Sequence, residues 1–528
     1  MTSSELADNL IHRVNVGDSL TRTAARHPDR IAVVDDGRRL RYRELNGWVN
    51  RVAHGLAQRG YGRADALALA SGNSVEFLVV YYACAKLGVV CVPINLGWRP
   101  DEVRYVLEHS GARGIVIETQ LLDTFGDAVA AVPGVREVIV APGTGGDPGG
   151  HTTLDEIPTG DPDGEPEYLV QDRDPISYLY TSGTTSAPKA VVGNHTAIYL
   201  ESMTMALEAK FDSDDRFVAM LPMFHTAQLN CHCTPAIMVG ATIHVVRAFD
   251  PGQLLELIET ESITQIFGLP MMYRAMLDHP DLARCDVSSL RRACYAMAPM
   301  PDKQLREAIE RFDCDFYLLF GQTEMSPTTT MFRPEHQLSH SGAVGTPVVN
   351  IALGIMSQDG TLLGQGEQGE IVYRGPHTMT EYLRDPEATE TVFAHGWFHS
   401  GDAGYVDADG VLWFTDRFKD VIKTGGENVA SIEVEKAVYA ADSRVAEAVV
   451  IGLRHERWSE AITAVVVPQP GETIDEAGLL AAVKRHLDPY KVPKAVIVAD
   501  ELPKTSTGKI QKNKLRSRFE HHYAPEAR

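Results

Sequence analysis

The sequence predicts an α/β protein. A large N-terminal domain of parallel βαβ sheets carries a small β subdomain, and a small α+β C-terminal domain follows. Three observations predict this. Short apolar runs alternate with segments of helical period through the first 330 or so residues. From about residue 340 the segments shorten, and Gly and Pro become frequent. After Arg417 the pattern changes again, to a stretch of about a hundred residues with its own strands and helices. The expected division is 1–416 and 417–528.

The elements follow in order. Residues 1–30 are polar and are expected to drape over the surface. The run 31–34 reads as a strand. Leu45, Val49, Val52, Ala53 and Leu56 recur at helical spacing and predict an amphipathic helix over 42–58. A short apolar strand is expected at 66–70, then a helix to about residue 87 that Asn73 can cap. Strands at 88–94 and 114–117 flank a helix at 100–109. Residues 141–171, rich in Gly, Pro, Asp and Glu and without periodicity, predict a solvated loop between subdomains. Strands are then expected at 217–221, 242–246, 264–267, 292–295 and 315–320, with a helix at 253–259. His225, Met297 and Thr323 each follow one of these strands, where open α/β sheets place their ligands. Strands at 369–373 and 411–415 belong to the small β subdomain. The last domain has helices at 434–440 and 478–486 and strands at 446–451, 461–467 and 495–499.

Bulk properties exclude some functions. With 528 residues the chain can build more than one domain. A net charge of −22 argues against general binding to nucleic acid or an anionic membrane, though not against a local site for a nucleotide. Seven cysteines, an odd and scattered set, fit a reducing compartment better than a disulfide framework. The start MTSSELADNL shows no secretory signal, and no run approaches the ~18 apolar residues of a membrane helix. A cytoplasmic protein without a membrane span is the expectation.

The stretch 180–190, YTSGTTSAPKA, is the centre of the chain's chemistry. It carries the hydroxyls of Thr181, Ser182, Thr184, Thr185 and Ser186, with Gly183 and Lys189. Ile176, Tyr178 and Leu179 ahead of it read as the end of a strand. Small side chains, many donors, a permissive Gly and one cation suit a loop that wraps a polyphosphate. It is not a Walker A loop, because Pro188 precedes Lys189 and Ala190 follows it. Taken alone, it also fits a Ser/Thr-rich surface turn.

Three further stretches stand in order behind it: FGQTE at 320–324, GYVDADGVLWFTDRFKDVIKTGGENV at 404–429, and PKTSTGKIQKNKLR at 503–516. Together the four stretches resemble the signatures of the adenylate-forming superfamily, which includes the AMP-dependent acyl-CoA synthetases. The resemblance covers almost the whole chain. It implies that an acid attacks the α-phosphorus of ATP, that pyrophosphate leaves, and that a thiol then displaces AMP. Two anions must meet, so charge neutralisation is the main requirement.

The resemblance also implies roles. Thr181, Ser182, Gly183, Thr184, Thr185 and Lys189 would grip the β,γ-phosphates. Glu324 would be the carboxylate for Mg2+, a hard oxygen ligand for a hard cation. Thr323 would contact the α-phosphate beside Gln322, and Phe320 would stack on adenine. Asp402 would accept from the ribose hydroxyls, with Arg417 reaching the ribose or phosphates. Lys419 matches the hinge. Lys509 would bridge the carboxylate and the α-phosphate, and is counted catalytic with His225 and Thr323. Gly425, Gly426 and Glu427 would line the pantetheine tunnel of coenzyme A. Singly, Glu324 fits a solvent-facing acid, Asp402 a turn residue, and the basic run 504–518 a solvated tail.

The acyl pocket is expected to involve His225, Met271, Met272, Tyr273, Met297 and Ala298. Amino-acid-activating relatives keep an Asp near here to hold the amine, and its absence argues against an α-amino acid. Ser186 and Ala190 replace glycines usual in the family. AMAPM at 296–300 stands where relatives often have GGAPM, so Met297 should shrink the pocket and favour a small or aromatic acid. The trio Cys231, His232 and Cys233 lacks the second pair and the spacing of a zinc site, so no metal is expected there. The expected partners are a small carboxylate, ATP and CoA. Alternatives are transfer to an acyl carrier protein or another nucleophile, or an unusual acid such as nitrite. A phosphotransferase releasing ADP and a non-enzymatic nucleotide-binding module are the competing classes.

Overall fold

The computed structural model describes residues 3–181, 188–297, 300–505 and 510–523. The chain divides into two compact units. The first comprises Met1–Ala352 with Tyr373–Phe398, the second Leu353–Val372 with His399–Arg528.

In the first unit, the described residues form two large sheets. One orders seven strands as Thr152–Thr153, Glu137–Ala141, Ala112–Glu118, Ala66–Ala70, Val90–Pro93, Pro175–Thr181 and Lys189–Asn194. All its pairs are parallel except the last, a hairpin. The other orders nine strands, with Asp315–Gly321, Arg292–Tyr295, Gln265–Gly268, Arg216–Ala219 and Thr242–Val245 as its parallel centre. Ile31–Asp35 joins this second sheet beside Thr242–Val245, far from its neighbours in sequence.

The helix Val75–Leu87 is buried along its whole length, as its nearly unbroken apolar composition requires. Ser74, not Asn73, caps it: the Ser74 hydroxyl accepts from the Phe77 N–H at 3.1 Å. The Asn73 amide instead donates to the Ala219, Leu221 and Val246 carbonyls at strand ends of the nine-stranded sheet.

Two sequence expectations are corrected here. Residues 1–30 do not merely drape: they form helices Ser3–His12 and Val16–Arg26, and the second buries Val16, Leu20 and Ala24. Four-residue spacing puts those three on one face. Residues 141–171 are not a free loop. Leu154, Ile157 and Val170 are buried, and Glu165 meets Lys86 at 2.6 Å.

The second unit holds an antiparallel sheet of Ala352–Met356, Gly369–Arg374, Phe398–Val406 and Leu412–Arg417. A second sheet is built on the long pair Val445–His455 and Ser459–Pro468, covered by Ser431–Ala441 and Glu476–Val483. The helix Ser431–Ala441 is capped from a distance by the buried Asp416 carboxylate, which accepts the Ser431 N–H at 2.5 Å. No helix among the described residues is long and apolar enough to cross a membrane.

Candidate active site

The hydroxyl-rich stretch begins at the end of the strand Pro175–Thr181, which pairs antiparallel with Lys189–Asn194. Thr181 stands opposite Lys189 in register, so the two ends of the loop are held together by the ladder. Ser182, Gly183, Thr184 and Thr185 lie outside the described residues, as do Ala298 and Lys509.

Lys189 is half-exposed. Its ammonium sits 3.2 Å from the Asp385 carboxylate and 5.0 Å over the ring of Tyr382. Asp385 also caps the helix Pro386–Val392 by accepting the Ala388 N–H at 3.0 Å. That bond, with the nearby Lys189, holds its carboxyl below the usual range.

The strand Asp315–Gly321 carries the second signature to its end. Side chains are excluded at Gly321, where a Cβ would lie 1.9 Å from the Pro327 carbonyl oxygen. The chain folds back there, with the Gln322 N–H donating to that oxygen at 3.0 Å, and Thr323–Met325 form a single 3-10 turn. Gln322, Thr323 and Glu324 are all half-buried. Phe320 is half-buried too, and its carbonyl accepts the Thr329 hydroxyl. Glu324 accepts the Tyr382 hydroxyl at 2.9 Å on Oε1, and its carbonyl accepts the Met379 N–H at 2.7 Å. Lys189 and Glu324, far apart in sequence, thus share Tyr382, the first over its ring face and the second at its hydroxyl.

Glu324 suits Mg2+ as a donor. It is a hard oxygen on a short turn at a strand end. Among the described residues no group of three or more His, Cys, Asp or Glu surrounds it. A cation held there would draw its other ligands from phosphate oxygens and water, the usual manner of Mg2+ with a nucleotide.

His225 precedes the short helix Thr226–Gln228, beside the ring of Phe224 at 4.7 Å. Burial pushes its imidazole down to about 4, so it is neutral at ordinary pH. A π-helical turn, Leu229–Cys233, follows directly. There Cys231 contacts Glu201 and Thr328, and His232 stacks on Phe267 at 4.3 Å.

The remaining pocket candidates divide. Met271 is 60% exposed and Met297 50%. Met272 is half-buried. Tyr273 is buried, edge-on to Phe316, with its hydroxyl donated to the Cys294 carbonyl at 2.5 Å. Met297 has φ +71°, a left-handed conformation that costs an L residue about 1–2 kcal/mol. That is the physical reason a glycine would suit this position.

In the second unit, Asp402 and Arg417 face each other across the pair Phe398–Val406 and Leu412–Arg417. The Arg417 Nε lies 3.1 Å from the buried Asp402 carboxylate. Lys419 is exposed in the turn that follows, and the next residue, Asp420, is tied to Arg516 at 2.9 Å. Gly425 and Gly426 take φ of +62° and +91° in the turn between Ile422–Thr424 and Glu427–Val429. Glu427 is exposed. The Gly425 N–H donates to the Trp458 carbonyl at 2.8 Å, and a Cβ on Gly425 would press on the indole at 3.2 Å.

Sequence reasoning missed several of these residues. Tyr382 and Asp385 lie in EYLRDPEAT, a stretch without a phosphate-binding look of its own. Trp458 carries Arg457 at 4.6 Å and Lys494 at 4.8 Å from its ring centroid. The signal there was a lone Trp in a charged run, RHERWSE.

Comparison with known proteins agrees with this geometry. Residues 20–383 match the AMP-binding enzyme family, and residues 433–509 match the AMP-binding enzyme C-terminal domain. A feruloyl-CoA synthase of Amycolatopsis sp is 35% identical over 96% of this chain and 99% of its own. An indoleacetate–CoA ligase of Aromatoleum aromaticum is 32% identical over 95% and 98%. The solved structure of ATP-bound MatB from Rhodopseudomonas palustris superposes with a TM-score of 0.88 at 28% identity, covering 97% of this chain and 100% of that one. The two family matches, and relatives alike along nearly the whole length, show that the chain belongs to the AMP-binding enzyme family.

Proposed function

We propose that this enzyme activates a small or aromatic carboxylic acid with ATP and transfers the acyl group to the thiol of coenzyme A. The acid oxygen attacks the α-phosphorus, and pyrophosphate leaves with the broken P–O bond. The thiol then attacks the acyl carbon, and AMP departs. The observation that carries this reading is the Lys189–Tyr382–Glu324 assembly, a cation and a hard carboxylate joined beside a hydroxyl-rich hairpin.

The residues divide the work. The hairpin loop, Thr181 to Thr185 with Lys189, grips the outer phosphates. Glu324 holds Mg2+, which when bound neutralises phosphate charge. Gln322 and Thr323 border the α-phosphate, and Phe320 stacks on adenine. Asp402 accepts from the ribose, its carboxylate oriented by Arg417. Lys509 neutralises charge between acid and α-phosphate. His225 is neutral, so it meets the incoming acid as a hydrogen-bonding group and not as a counter-ion. Met271, Met272, Met297 and Ala298 border the acyl group, Tyr273 backs them from the core, and Met297 favours flat acids. That two relatives are a feruloyl-CoA synthase and an indoleacetate–CoA ligase supports an aromatic acid. Gly425, Gly426 and Glu427 border the path of the pantetheine arm. Trp458, flanked by two cations, suits the nucleotide end of coenzyme A. The small domain, 417–528, turns about Lys419 between the half-reactions.

The test is pyrophosphate release with a panel of carboxylates, with and without CoA. An aromatic acid should give the fastest release, and CoA should stimulate turnover. A clear preference for palmitate would reject the pocket reading, and ADP as product would reject adenylation. Acid-dependent pyrophosphate without CoA stimulation would shift the acceptor to a carrier protein. Lys509→Ala should slow acid-dependent adenylation by about 10²-fold or more, as loss of one transition-state donor does. Full first-half-reaction speed in that variant would overturn the mechanism.

A further inference from the structure

The segment between the strand Gly369–Arg374 and the helix Pro386–Val392 is built with unusual care for a connection. It runs beside the hairpin strand Lys189–Asn194. The Thr380 N–H donates to the Val192 carbonyl at 2.9 Å, the Val192 N–H to the Glu381 carbonyl at 3.0 Å, and the Leu383 N–H to the Ala190 carbonyl at 2.9 Å. Near its start, His377 Nδ1 lies 2.9 Å from the Glu201 carboxylate, with both side chains fully buried. At its end, Asp385 caps the next helix. The Tyr382 N–H is itself held by the Thr389 hydroxyl at 3.0 Å.

The backbone at Tyr382 is therefore fixed, and its side chain faces two partners. The hydroxyl donates to Glu324 Oε1, and the ring face lies under the Lys189 ammonium. A donor on Oε1 leaves Oε2 for a cation and removes the rotational freedom of an otherwise long acidic side chain. The ring face under Lys189 holds the ammonium from one side without taking an N–H donor, while Asp385 at 3.2 Å takes one and leaves the others for phosphate oxygens.

We propose that Tyr382 is a positioning residue for two groups at once, aiming the Glu324 carboxylate at the metal and the Lys189 ammonium at the outer phosphates. This rests on the reading of Glu324 and Lys189 given above. The hydroxyl serves the metal and the ring serves the lysine, so the two functions separate by substitution.

The experiment measures binding and not turnover. Mn2+ affinity is followed by electron paramagnetic resonance in the presence of the β,γ-methylene analogue of ATP. Binding of that analogue alone, in EDTA, is followed by calorimetry. Wild type, Tyr382→Phe, Tyr382→Leu and Glu324→Gln are compared, with thermal unfolding as a check on folding. Tyr382→Phe should weaken Mn2+ about tenfold, the usual cost of losing a group that orients a metal ligand, and leave metal-free nucleotide binding unchanged. Tyr382→Leu should also weaken metal-free nucleotide binding, about threefold. If Glu324→Gln abolishes Mn2+ binding while Tyr382→Phe matches wild type, the inference fails and the site reading stands. If Tyr382→Phe weakens both ligands equally, the role is only structural and the inference fails. If Glu324→Gln binds Mn2+ like wild type, the reading of Glu324 fails first and the inference with it.

Discussion

Met297 is held at φ +71° with half of its side chain in solvent. It buries little, so its removal forfeits little packing, while a glycine would relieve about 1–2 kcal/mol of backbone strain. Part of that gain is offset by the greater freedom of glycine in the unfolded chain. Met297→Gly should therefore leave the urea midpoint unchanged or slightly raised, and should extend the acid panel toward bulkier substrates. A lowered midpoint would show that the thioether packs as well as strains. Trp458 gives a second test on a single residue. A purine stacked on an indole gains about 1–3 kcal/mol, so Trp458→Ala should raise the KM for CoA about tenfold and leave acid-dependent pyrophosphate exchange alone. Equal losses in both half-reactions would remove Trp458 from the CoA site.

Among elements, helices and strands with a clean period were legible. The helix Tyr42–Gln58 and the strands Ala66–Ala70 and Arg292–Tyr295 have the bounds expected from periodicity alone. The failures came where polar residues do core work. The helix Val16–Arg26 buries Ser19 and Thr23 next to Leu20, which hides its apolar face in the sequence. The stretch 141–171 looks solvated by composition, yet Glu165 enters a polar cluster. The Lys86 ammonium donates to Glu165 at 2.6 Å, to Asn50 and Thr21 at 2.7 Å, and to Asn46 at 2.8 Å. Burial would raise the Glu165 carboxyl, but Lys86 and the two Asn amides outweigh it and hold it low. Glu165→Ala would leave a buried ammonium without its counter-charge. The expected cost is about 2 kcal/mol, below the usual range for a broken buried pair because the Glu165 side is partly screened by solvent. Urea unfolding checks it, and Lys86→Met in the same background should recover part of the loss. An unchanged midpoint in Glu165→Ala would show that this stretch is not anchored by the pair.

At the scale of the whole molecule, desolvation keeps four histidines of the described residues neutral, the buried His195, His232 and His244 and the half-buried His225. Burial holds His195, His225 and His244 down to about 4 and His232 to about 3, against an ordinary 6.5. The unfolded chain takes up protons near 6.5, whereas the folded chain takes them up only near 4 and below. Between those values the unfolded state binds more protons, so stability falls as the pH falls through this window. The urea midpoint should drop steadily from pH 6.5 toward 4. His232 stacks flat on Phe267, so His232→Phe should keep the packing and flatten the slope. An unchanged slope would place the acid sensitivity elsewhere.

The sequence by itself determined the chemistry's ingredients. Hydroxyls, glycines and a lysine in one turn, a carboxylate after a strand, and a distant basic loop are local properties of residue type and spacing. Their order along the chain carried the adenylate-forming resemblance, while the alternation of short apolar runs with segments of helical period predicted the α/β class. Tertiary structure decided what joins them. Ile31–Asp35 pairs with Thr242–Val245 across some two hundred residues, Tyr382 links Lys189 to Glu324, and Trp458 backs the Gly425 turn. Periodicity reports which face of an element is apolar, but not which other face it meets. That choice is made by packing and hydrogen bonding over the whole fold, where partners are selected by distance in space and not by position in the chain.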